Sequence, residues 1–157
     1  LACLPLRSIK SLELKNFMTH SHLILRPSAR GNLIIGPNGS GKSSVVCAII
    51  LGLGGSIRTM DRATDLSGFV KRVHARQHPP SAVLSDAQLH LHDAHTGGDT
   101  VIRRTIDTDR KSSFFMGKAA VALASVTKQK VQETVQQLGI FVDNNCQVLP
   151  QEAISKF

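Results

Sequence analysis

Tryptophan and tyrosine are absent from this 157-residue chain, and aromatic residues make up only 4% of it, all of them phenylalanine. A surface that stacks nucleic-acid bases would have to be built from six Phe, most of them in apolar surroundings. Cysteine is scarce too. Cys3, Cys47 and Cys146 are odd in number, far apart and without a C-x-x-C pair. That excludes a disulfide framework or a zinc site as the organising feature and points to a reducing intracellular compartment. No apolar run is long: Val45 to Leu53 is about half of the ~20 residues a membrane span requires. No secretory leader with an A-x-A site is expected from Leu1-Ala2-Cys3-Leu4-Pro5-Leu6. Acidic residues are outnumbered, 11 Asp and Glu against 19 Lys and Arg, for a net charge of +8. Such an excess suits a phosphate-rich partner, a nucleotide or a nucleic-acid backbone, although solubility alone also accounts for it.

What is present suffices for one domain. Hydrophobic residues make up 41%, enough for a core at this length. Ile9–Leu14 and His22–Leu25 read as short strands around a polar turn, and Asn32–Ile35 as a buried strand running into Gly36-Pro37. Val45, Ile49 and Leu53 fall at i, i+4 and i+8, predicting a helix from about Gly41 that Gly54-Gly55 stops. The polar, basic stretch 56–80 is not assigned. Val83, Ala87, Leu89 and Leu91 share one parity, opposite Gln88, His90 and His92, as in a half-buried strand. A turn over His95–Asp99 leads to a returning strand, Thr100–Ile106, and Ser112–Met116 adds a third. A last helix is expected over Ser125–Leu138, with Ser125 as cap, Val131, Val135 and Leu138 as its apolar stripe, and Gly139 at its end.

The segment Gly36-Pro37-Asn38-Gly39-Ser40-Gly41-Lys42-Ser43 satisfies G-x-x-x-x-G-K-[ST]. Glycines let successive N–H groups turn inward as a nest for anionic oxygens. The helix that follows adds the positive end of its dipole. Lys42 is long enough to reach the β- and γ-phosphates, and the Ser43 hydroxyl suits Mg²⁺, a hard ion. Average residue frequencies place these four fixed positions in about one chain of this length in two hundred. The flanking strand and helix patterns make an ordinary Gly-rich turn a poorer account still. The expectation is a nucleoside triphosphate site, with MgATP as ligand.

Other requirements are met less well. Asp65-Leu66-Ser67-Gly68 matches the D-x-x-G of a GTPase, but no apolar strand leads into it, and Thr127-Lys128-Gln129-Lys130 lacks the Asn and Asp of a guanine reader. A GTPase-type domain is therefore a minor alternative. Asp143, after Ile140-Phe141-Val142, is the one candidate for an acidic Mg²⁺ ligand, and Asn144 follows where a catalytic Glu would be wanted. A turn explains Asp143 equally well. The chain holds the parts for binding nucleotide but not a full set for activating water.

Two blocks, Gly36–Ser44 and Gln147-Val148-Leu149-Pro150-Gln151, together resemble the N-terminal half of the ATPase head of structural maintenance of chromosomes (SMC) proteins, of the ABC-ATPase class. Lys15–Thr19, Val46–Leu53 and Gly68–Arg72 extend the resemblance, which runs from Ile9 to Phe157 and is weakest over 73–100. It implies an α/β P-loop NTPase half-head, with an antiparallel β portion and a strand–P-loop–helix core, forming one lobe over residues 1–157. A coiled coil is expected just after Phe157, with the signature loop, acidic strand and catalytic Glu beyond it.

By the same resemblance, Gly36, Pro37, Asn38, Gly39, Ser40, Gly41, Lys42, Ser43 and Ser44 hold ATP, and Gln151 joins Lys42 as a catalytic residue and Ser43 as an Mg²⁺ ligand. Arg62, or Arg58 in its place, falls where many such heads carry an arginine near nucleotide or DNA. The implied partners are the C-terminal half of the same head, structural maintenance of chromosomes protein 6, non-SMC subunits including a SUMO ligase, and DNA bound without sequence preference. The implied setting is DNA repair and recombination on nuclear chromosomes. The fragment alone is not expected to hydrolyse ATP. A nucleotide-gated DNA-binding module with negligible turnover is the competing reading.

Lys71, Arg72, Arg76, Arg103, Arg104, Arg110 and Lys111 are candidates for a DNA-backbone surface, with a merely solvated face as the alternative. His90 and His92 share a strand face without a third ligand to complete a metal site, and read as a solvent-facing pair.

Overall fold

The computed structural model describes residues 7–28, 30–56, 66–71, 85–93, 97–107, 109, 111–144 and 146–149. Strand β1 (Arg7–Phe17) turns into β2 (His20–Leu25); helix α1 (Lys42–Gly52) follows, then β3 (Ser85–Asp93), β4 (Gly98–Ile106), β5 (Ser112–Gly117), the short β6 (Ala124–Val126) and helix α2 (Lys128–Gln137). The strands form one antiparallel sheet in the order β2-β1-β3-β4-β5-β6. β1 reaches its place between β2 and β3 with a register shift between Ile9 and Ser11, as one extra residue in a strand requires.

Period-two alternation sends one set of side chains to a common face. Leu12 pairs with Leu89, and Leu89 with Ile102; in the next row Leu14 pairs with Ala87, Ala87 with Arg104, and Arg104 with Phe114. Leu12, Leu14, Leu89 and Ile102 are buried, and α1 lies across β1, β3 and β4 on this face. The opposite face carries the polar partners, including Lys10–Asp99, Lys15–Glu13 and Arg103–Asp86 pairs. α1 is buried on most of its circumference, through Val45, Cys47, Ala48, Ile50 and Leu51.

Arg104 sits in the apolar row with only 6% of its surface exposed. Its Nη1 donates to the Leu51 carbonyl at 2.9 Å, its Nε to the Ser112 hydroxyl at 2.9 Å, and the guanidinium lies 4.7 Å from the Phe114 ring centre. Burial lowers its pKa to about 10, which still leaves it charged at neutral pH. Its place is under the helix, so it leaves the set of basic residues offered above for DNA. A buried charge is tolerated because it is bonded.

Gly52 ends α1 against β3, and a Cβ there would run into the Leu89 side chain. Gly to Ala in a helix ordinarily gains about 1 kcal/mol, whereas overpacking a core costs about 1–3 kcal/mol. The close contact reverses the usual sign: Gly52→Ala is expected to lower the urea midpoint, by the equivalent of about 1 kcal/mol.

α2 begins two residues later than the Ser125 cap predicted. Thr127 is the cap, its hydroxyl accepting from the Lys130 amide at 3.2 Å, and Ser125 lies in β6 paired with Phe115. Pairing with β5 holds Ser125 extended and hands capping to the next hydroxyl. Val131, Val135 and Leu138 are the buried stripe, and Gly139 leaves the helix at φ 69°. The larger departure is at Asn32–Ile35. This run forms no strand, and Leu33 and Ile35 are 83% and 82% exposed. A ladder needs a neighbour, and no described strand lies alongside it.

Candidate functional site

The loop over Gly36–Gly41 is closed on itself. The Ser40 amide donates to the Pro37 carbonyl at 3.3 Å. Gly39 and Gly41 take φ of 81° and 94°, left-handed conformations that cost a glycine nothing. Gly41 is also the residue preceding α1, and no side chain caps the helix; no acidic residue stands in its first turn. The Ser44 amide donates to the Gly41 carbonyl at 3.0 Å, and with no side-chain cap an anion is a suitable acceptor for the amides that open the helix before it. A Cβ on Gly41 would collide with the side chains of Thr19 and His20, so only glycine fits there.

Lys42 folds back over the loop. Its Nζ donates to the carbonyls of Gly36 and Pro37, at 2.6 and 2.7 Å. The ammonium is thus held at the loop by two neutral acceptors. A phosphate would be a stronger, charged acceptor for the same donors. Ser43 is half-buried in the first turn of α1, beside this cradle, and Ser44 is buried with its hydroxyl 3.5 Å from that of Thr19. Two left-handed glycines, one ammonium and the half-buried Ser43 hydroxyl suit a polyphosphate bound with a hard divalent ion, to which Ser43 would give one oxygen.

Gln151, Arg62 and Arg58 lie outside the described residues, as do Arg72, Arg76 and Arg110. Asp143 is not at the loop: its Oδ1 accepts from the Ser56 amide at 3.2 Å, closing the turn beyond the C-terminal end of α1. α1 is 11 residues long, about 16 Å at 1.5 Å per residue, and Ser43 is at its other end. Arg103 is paired with Asp86 and Lys71 donates to the Ser21 hydroxyl, while Lys111 is exposed. His90 bonds Gln88 and His92 bonds Asp99. Asp99 is held below the usual carboxylate range by Lys10 first and His92 second. Of the D-x-x-G match, Leu66–Phe69 form a single 3-10 turn. Thr127, in place of a base reader, caps α2.

Two residues at the loop were not singled out by sequence. His20 places Nε2 at 3.1 Å from the Gly41 carbonyl, and Thr19 reaches Ser44. Their signal was a polar tip, Met18-Thr19-His20, between two apolar-patterned strands, and nothing local says where a hairpin tip will dock.

A family model described as an AAA domain matches residues 11–157. The chain belongs to the AAA domain family. It is 38% identical over 150 residues to structural maintenance of chromosomes protein 5 of Arabidopsis thaliana, covering 96% of this chain and 13% of that protein. Protein 5 of Schizosaccharomyces pombe is 34% identical over 152 residues, covering 97% and 13%, and protein 6 of Homo sapiens 33% over 152 residues, covering 95% and 14%. A structure from work on ATP-driven dimerization and DNA-stimulated activation of SMC ATPases superposes with a TM-score of 0.80 at 25% identity, over 95% of this chain and 89% of that one. The Pyrococcus furiosus Smc head with an extended coiled coil, bound to the C-terminal domain of ScpA, gives 0.81 at 25% identity, over 96% and 38%. This AAA domain segment is thus an α/β, P-loop NTPase-like piece with the fold of SMC heads, as its motifs led one to expect. It spans 13–14% of the length of these curated relatives.

Proposed function

We propose that this segment binds the triphosphate of MgATP as one half of a two-part ATPase site of the SMC type. One observation carries the reading: a helix opening without a side-chain cap, two left-handed glycines and the Lys42 ammonium all belong to one short loop, Gly36–Lys42. The second half is supplied from outside the described residues. Asp143, the acidic group the sequence offered, is committed to the turn at Ser56, so a carboxylate for Mg²⁺ and a base for water must come from elsewhere. The exposed Leu33–Ile35 run, directly before the loop, is where the complementary C-terminal half would add its strands and bury apolar surface. Gln151 would then face the attacking water and Mg²⁺, and Arg62 the nucleotide or DNA.

Within the whole protein the proposal is a head that pairs, when ATP is bound, with protein 6 of the family, in an assembly with non-SMC subunits including a SUMO ligase. It would act on DNA, in repair and recombination, on nuclear chromosomes. The similarity to both protein 5 and protein 6 relatives, and the SMC ATPase structures sharing the fold, support this. Turnover by the full-length protein with its partner head, measured with and without duplex DNA, tests it. Faster ATP hydrolysis with DNA is expected. Binding without measurable turnover in either condition would replace it with the nucleotide-gated module, and tighter binding of GTP than ATP with the GTPase reading.

A further inference from the structure

The tip of the β1–β2 hairpin is under backbone strain and is held from two sides. Phe17 pairs with His20, so Met18 and Thr19 alone make the reversal. Asn16 and Met18 lie at φ 50° and 49°. Asparagine tolerates that region; methionine does not adopt it unless the surroundings compel it. The compulsion is visible. The Met18 amide donates to the Phe69 carbonyl and the Lys71 amide to the Asn16 carbonyl, each at 2.8 Å. Phe17 bridges to Val70, its ring 6.0 Å from that of Phe69. Residues 66–71 therefore grip the tip from one side, and the strained turn presents His20 to the phosphate loop on the other.

We infer that His20 is a positioning residue for the phosphate loop, its Nε2–H donating to the Gly41 carbonyl so that the Lys42 amide faces the bound phosphates. The chemistry follows from the peptide plane. The Gly41 carbonyl and the Lys42 N–H belong to one rigid unit and point in opposite directions. Gly41 O already accepts from the Ser44 amide at 3.0 Å, and His20 fills its second lone pair at 3.1 Å. With that carbonyl fixed toward β2 and the helix, the Lys42 N–H is turned outward into the cradle. Because the acceptor is a carbonyl, Nε2 must carry the proton, in the neutral or the charged ring alike. A loop with glycine at 36, 39 and 41 is otherwise free to sample many orientations, and ordering it would then oppose binding.

This role rests on the loop being a phosphate site, and the experiment separates the two. MgATP affinity is measured by calorimetry on the full-length protein and on Lys42→Ala, His20→Leu, His20→Ala and His20→Gln, with thermal unfolding of each without nucleotide. His20→Leu and His20→Ala, which lack a donor, are expected to bind roughly tenfold more weakly, the worth of one hydrogen bond. His20→Gln, which can donate at similar reach, is expected to return to within about twofold of the parent. Parent-like affinity in the donor-free variants overturns the inference, as does equal weakening in the glutamine variant. Failure of both donor-free variants to fold also overturns it, by making His20 a residue of the fold. A parent protein that does not bind MgATP, or a Lys42→Ala variant that binds as well as the parent, sinks the phosphate-loop reading itself.

Discussion

Lys42→Ala is expected to remove measurable MgATP binding while leaving the fold intact. The ammonium donates to the Gly36 and Pro37 carbonyls, so phosphate binding would exchange neutral acceptors for charged ones. Hydrogen bonds to charged groups contribute about 1.5–3 kcal/mol each. Two such bonds lost amount to at least about 3 kcal/mol, more than a hundredfold in affinity. The two loop carbonyls are released to solvent, so stability should change by no more than about 1 kcal/mol. Calorimetry with MgATP checks the first quantity and urea unfolding the second. Lys42→Arg is not a rescue, because a planar fork does not replace a compact point charge within a closed loop.

The second large effect has the opposite profile. Phe69→Ala is expected to destabilise the fold by about 3–5 kcal/mol, the usual range for deleting a fully buried aromatic side chain. Phe69 is 0% exposed and lies in the main core cluster with Phe17. At a urea slope of about 2 kcal/mol/M the midpoint should fall by roughly 2 M. Domains are marginally stable, with about 5–15 kcal/mol in all, so this is a large fraction. Nucleotide affinity should fall as well, because the backbone of Phe69 holds the hairpin tip that touches the loop. A Phe69→Ala chain with parent-like stability would show that residues 66–71 contribute little to the core. Lys42→Ala changes binding without stability; Phe69→Ala changes both.

Much of this architecture was legible because its signals are local. Alternation in Ala87–Leu91, the turn before Thr100–Ile106 and the glycines of the loop carry their meaning within a few residues. Arg104 shows where habit misleads. Its parity, shared with Ile102 and Ile106, points inward, but a cation is expected outside, and the Leu51 carbonyl, the Ser112 hydroxyl and the Phe114 ring explain the exception. Asn32–Ile35 shows the complementary limit. An apolar, β-branched run looks the same whether or not a partner strand lies in the same chain, because pairing is a non-local property. Ser125 was expected as the cap, and its pairing in β6 with Phe115 of β5 leaves that role to Thr127. For the site, the motif is contiguous in sequence, while the docking of Thr19 and His20 depended on a hairpin reaching across 21 positions to Gly41. Asp143, which follows an apolar run as an acidic Mg²⁺ ligand would, instead accepts from the Ser56 amide.

The Arg104 bond to Leu51 and the tight seat of Gly52 on Leu89 act at one end of α1. They peg the rear of that helix to the middle strands, so it cannot slide lengthwise like a piston when its front end takes up a ligand. Whatever motion accompanies ligand arrival is therefore confined to the front: rotation of the loop peptides and a shift of the hairpin leaning on them. Residues 66–71, which hold that hairpin by its main chain, are then the first to register it.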